Sequence, residues 1–142
     1  MTILSKSLIT RGVVSILGAA ALSAGLAQSA IAQTVTDAPQ YSVRKTSNVM
    51  VKMGVSAFNS GEYTRAADYS QKALKSGLSP ARRAIAYNNL CAALGAQGDY
   101  AGAVEACDSA LSLRPKLDDA VRNRDIAQAG HSAKMSAKAG AQ

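Results

Sequence analysis

The chain has 142 residues, a net charge of +7, and 4% aromatic residues with no tryptophan. That bounds it to one small domain, basic but without the Lys/Arg density of a dedicated nucleic-acid binder. A core drawn from Ala, Leu, Val and Met, with few β-branched runs, suits close-packed helices better than a sheet and predicts an all-α fold.

Residues 1–32 read as a signal peptide. Lys6 and Arg11 form a charged start, Gly12 to Ala27 an apolar middle, and Ala30-Ile31-Ala32 a small-x-small cleavage signature. The competing reading is a retained anchor, but the apolar middle is shorter than the roughly 20 residues that span a bilayer and is diluted by Ser and Gly. Cleavage after Ala32 predicts export, to the periplasm, where the two cysteines, Cys91 and Cys107, meet an oxidising compartment. Residues 33–46, with Pro39 and no sustained period, are expected to be a disordered linker.

Helical periodicity opens at Ser47, the expected N-cap, and runs through Val49, Met50, Met53, Ala57 and Phe58 to a break at Gly61. Gly61, Tyr63, Ala66 and Ala73 each recur 37 residues later as Gly98, Tyr100, Ala103 and Ala110, so the chain holds two copies of one unit, 47–79 and 80–115. Between them, Gly77 can end a helix, Ser79 can cap the next, and Pro80 suits its first turn. The extra residues of the long period are expected to lengthen that next helix at its start, through Ala81 to Ala84.

The second copy is the clearer one. Ile85, Tyr87, Leu90, Cys91 and Leu94 recur at helical spacing, and Ala103, Val104, Cys107, Ala110 and Leu111 do so again. Between these helices Gly98 suits a left-handed terminus, and Asp99 can accept from the free N–H groups of the second helix. Small residues at the crossing let an antiparallel pair approach closely. Residues 116–129 follow, with Leu117, Ala120 and Val121 on one side and charges around the rest. That thin stripe fits a capping helix, the alternative being a frayed polar tail. Residues 130–142 show no period and are expected to be a disordered tail.

Cys91 and Cys107 lie 16 apart with Asp99 at their midpoint, which sets them level in an antiparallel pair. Axes ~8 Å apart with Cα radii of ~2.3 Å bring facing Cα atoms within the ~4.4–6.8 Å of a disulfide. A bridge is feasible. The alternative is two small buried hydrophobes, and export favours the bridge.

Tyr87, Leu90, Leu94, Gly98, Tyr100, Ala103, Ala110 and Pro115 fall in register on the pattern of the tetratricopeptide repeat, which this stretch resembles. The first copy is a degenerate version, with Met50 and Met53 in place of the aromatic and the leucine. The resemblance implies a short α-solenoid of two helix pairs plus a C-terminal capping helix, one tetratricopeptide-repeat domain over 47–129. It also implies a concave groove for a protein or peptide partner. That groove would be lined by Asn48, Val51, Val55, Phe58 and Asn59 from the first unit, by Asn88, Asn89, Ala92 and Ala96 from the second, and by Arg122 and Asn123 from the cap. A side-chain amide both donates to and accepts from an extended backbone, which gives the asparagines a physical use. Val51 and Val55 stand where carboxylate-clamping versions carry Lys and Asn, which disfavours a C-terminal carboxylate as ligand.

Nothing in the sequence supports catalysis, a cofactor or a metal. The one histidine, His131, falls in the expected tail, and two thiols without a nearby His or acid make half a zinc site at best. Residues 40–83 hold eight Lys/Arg against two acids, a balance of +6, whereas residues 84–128 hold four against six, a balance of −2. Solvated helix faces account for this most simply. The alternatives are an acidic or membrane surface bound by the first repeat, or head-to-tail self-association as a homodimer. The leading expectation is thus an exported interaction module without enzymatic activity; its competitor is an envelope-associated structural protein held electrostatically to membrane or polymer.

Overall fold

A computed structural model describes residues 40–141, and among these it holds five helices and no β-sheet. They are α1 (Val49–Asn59), α2 (Tyr63–Leu74), α3 (Pro80–Ala96), α4 (Tyr100–Leu113) and α5 (Asp118–Ala139). The signal-peptide reading and the linker up to residue 39 lie outside the described residues.

The turns inside the two hairpins are built alike. Gly61 and Gly98 take φ of +76° and +80°, which a Cβ would disfavour, and so let the N–H of Glu62 reach back to Ala57 O (2.9 Å) and that of Asp99 to Leu94 O (3.0 Å). The repeat register therefore holds in the backbone: α1 and α3 close at Asn59 and Ala96, and α2 and α4 open at Tyr63 and Tyr100. The caps differ. Asp99 accepts from the N–H of Gly102 at 3.1 Å, whereas Glu62 in the matching place caps nothing. Asn48, not Ser47, is the N-cap of α1, its Oδ1 accepting from the N–H of Val51 at 3.1 Å. Ser79 occupies the N-cap of α3 without a side-chain bond, and Pro80 at the first turn has no N–H to satisfy.

Successive helices pack on one another, with α1 on α3 and α3 on α5 forming an inner row. Ala66, Ala73, Ala103 and Ala110 are all at most 2% exposed, because the outer helices α2 and α4 meet the inner row through small residues. Larger side chains fill the joints between units. Leu117, 1% exposed, packs into the main cluster with Ala120 and Ala127 and fixes α5 to the second hairpin, a burial worth ~1.5–3 kcal/mol. Cys91 and Cys107 face each other at the crossing of α3 and α4, sulfurs at disulfide distance and Cα atoms 5.3 Å apart.

Two expectations about the ends of the domain are corrected. First, α5 does not stop near residue 129; it runs on to Ala139, and the expected tail is helical through that residue. Its second half is exposed, so no apolar period marks it. Alanine and lysine propagate a helix already nucleated on the core, and Lys134 Nζ donates back to Gly98 O at 3.2 Å. Second, the described part of the expected linker is not free: residues 41–44 are seated on the inner row. The inner helix of the first unit is correspondingly short, 11 residues against the 17 of α3.

Candidate functional site

The inner faces of α3 and α5 form a cleft, and Tyr41–Arg44 lies in it as an extended strand. An extended chain presents the N–H and C=O of alternate residues to one side, and here Ser42 and Arg44 present theirs to asparagines. Asn123 Oδ1 accepts from Ser42 N–H at 2.8 Å while its Nδ2 donates to Ser42 O at 2.7 Å. Asn89 does the same for Arg44, accepting from its N–H at 2.8 Å and donating to its O at 2.7 Å. Asn88 adds a second donor to Ser42 O at 3.1 Å and accepts from Asn123 Nδ2 at 3.0 Å, tying the two helices together beneath the strand. Asn88 and Asn123 are fully buried. Their amides are affordable there because partners surround them.

Side chains supply the rest of the fit. A Cβ at Gly95 would collide with the Tyr41 ring, so glycine inside α3 is what lets the aromatic seat directly on the helix backbone. The ring is half-buried, and its hydroxyl is sealed from solvent without a hydrogen-bond partner. Burial, with a smaller contribution from nearby Tyr100, pushes the Tyr41 phenol up to about 12. Arg44 Nε pairs with Asp119 at 3.2 Å, and Arg122 Nη1 donates to Ser42 Oγ at 3.2 Å. The strand thus runs antiparallel to α5, with Ser42 at Asn123 and Arg44 one turn nearer the start of that helix.

Of the expected groove residues, Asn88, Asn89, Asn123 and Arg122 are brought together at the strand, and buried Ala92 lies one turn along α3 from Asn88. The first-unit residues are not part of this cleft. Asn48 is occupied as the α1 cap and donates to Ser76 Oγ; Val51 and Val55 are core residues, 1% and 3% exposed; Phe58 packs on Tyr63, with ring centroids 5.2 Å apart; and Asn59 points to solvent. Tyr41, Ser42, Arg44, Gly95 and Asp119 were absent from that expected set. A glycine inside a helical pattern signals close approach of another chain segment, and Gly95 was the readable clue. Among the described residues no group of three metal-ligating side chains converges, and no helix is long and apolar enough to cross a membrane.

Fold and cleft define a class: stacked helical hairpins whose inner row grips an extended polypeptide. Residues 84–117 match the family model of the tetratricopeptide repeat. That stretch is a tetratricopeptide repeat, formed by α3, α4 and the lead into α5. Searches of curated proteins and of solved structures found no match to it.

Proposed function

We propose that this protein is an exported, periplasmic interaction module that holds an extended segment of a protein or peptide partner between α3 and α5, and that it performs no chemistry on that partner. The observation that carries the reading is the pair of bidentate contacts from Asn89 and Asn123 to the backbone of alternate residues. Such contacts read an extended main chain whatever its side chains, which is what a peptide receptor needs and a catalytic site does not. The signal-peptide pattern of residues 1–32 supports export, and a cleft lined by amides rather than by Lys/Arg and aromatic rows suits protein rather than nucleic acid.

The test is capture of the native partner from the envelope by the full chain and by its Asn89→Ala/Asn123→Ala variant. The variant is expected to keep its helical circular dichroism and to lose the partner specifically held by the unaltered chain. Equal capture by both would overturn the reading.

A further inference from the structure

The strand in the cleft specifies what the cleft accepts. Its first position needs a flat ring, because only glycine beneath it leaves room and the ring covers the α3 backbone at Gly95. Its second position is held by both backbone groups between α3 and α5, where a small residue fits. The third residue, Val43, makes no backbone hydrogen bond to the asparagines; alternation turns it the other way. The fourth is held through its backbone by Asn89 and through its guanidinium by Asp119.

Two features make the present occupant displaceable. The Arg44 side chain is 50% exposed in its ion pair, so water and salt weaken that contact. The Tyr41 hydroxyl is buried with nothing to bond, a cost that phenylalanine at the same place avoids. We propose that the α3–α5 cleft is a receptor for an extended peptide of another protein with the pattern aromatic, small, any, arginine, and that Tyr41–Arg44 is a tethered competitor that leaves when that peptide enters. This rests on the reading of the cleft as a partner site and adds the partner's sequence class and the gate that controls access. The tether is short, only residues 45–47 lying between Arg44 and the Asn48 cap. A competitor so held acts at an effective concentration on the order of mM.

The experiment is fluorescence anisotropy on the full chain with two labelled hexapeptides, the chain's own residues 40–45 and the same peptide with phenylalanine for tyrosine. The protein is compared with a Ser42→Pro/Arg44→Glu variant, in which the strand loses an N–H donor and faces Asp119 with the wrong charge. If the free segment binds at ~10 μM, a tether at ~1 mM lowers the apparent affinity of the unaltered chain about 100-fold, and opening restores it. The phenylalanine peptide should bind the opened chain about fivefold or more tighter than the tyrosine one. A peptide with glutamate for arginine should bind weakly, and Asp119→Arg combined with Ser42→Pro alone, which leaves Arg44 facing a like charge, should recover it.

Equal affinities for the unaltered and opened chains would overturn the gate. No binding to an opened chain that keeps its helical circular dichroism would overturn the receptor. Should the double variant lose helix, Arg44→Glu alone must still raise affinity for the peptide, and no rise is then the contrary result. Peptide binding combined with native-partner capture indifferent to Asn89 and Asn123 would overturn the proposed function and leave the cleft's specificity standing.

Discussion

Tyr41 carries the largest side-chain commitment of the strand, and its ionisation offers a way to observe the strand leaving. With the folded phenol pushed up to about 12 and an unfolded or released tyrosine near 10, the seated form binds its proton more tightly than the released form. The contribution to seating is therefore intact below pH 10 and is lost progressively as pH rises toward 12. Phenolate absorbance should show a late step from Tyr41, and Tyr41→Phe should remove it. A late step that survives Tyr41→Phe would mean that another ring is the shielded one. Residue by residue, the cleft was half legible beforehand. Asn88, Asn89 and Asn123 fall at helical positions where an amide facing inward has an evident use. Arg44 and Asp119 do not, since a charge pair 75 positions apart in the sequence has no local signature. Val51 and Val55 share the helix with expected groove residues, but the shortness of α1 and the packing of α2 and α3 turn them into the core.

At the level of elements, the α3–α4 hairpin is the part most strongly specified. Glycine at a positive-φ turn, aspartate at the cap and small residues at the crossing all point to the same geometry, and local and global preference agree. The cysteines extend that agreement, their sulfurs at disulfide distance. Closing a loop of 16 residues restricts the unfolded chain by about 3 kcal/mol in the chain-entropy model. For a domain of this size that is worth on the order of 10 °C or more in midpoint. Non-reducing peptide mapping of the natively produced protein is expected to find Cys91 joined to Cys107, and reduction or the Cys91→Ser/Cys107→Ser variant to lower the thermal midpoint by that amount. Free thiols, or a midpoint that reduction leaves in place, would show that packing alone holds the hairpin. By contrast, the second half of α5 was illegible to a search for apolar period, because a helix that buries no face displays none. Its signals are composition and continuity with Ala120, Asn123 and Ala127, which are buried.

For the molecule as a whole, two hairpins and a long closing helix fall short of the three repeats such arrays usually need. The strand from residues 41–44 compensates in part by lying across α3 and α5 and satisfying their buried amides. Where the natural chain begins decides how many residues precede that strand. Mass spectrometry of the protein from its native compartment is expected to find Gln33 first, after removal of residues 1–32, and an intact Met1 in the cytosol would overturn the export reading.

One mechanical property follows from the strand's place in the chain. Everything ahead of Gln40 is joined to the repeats through Tyr41–Arg44 and by no other covalent route. A pull applied upstream reaches a ring lodged on Gly95, five amide–backbone bonds and one exposed ion pair before it reaches α1. Those bonds yield before the hairpins do, since the cores behind them are closed by burial and, where the sulfurs are joined, by covalent linkage. Tension on the N-terminal arm would thus empty the cleft while leaving its walls standing, converting a force on one end of the protein into a vacancy at its centre.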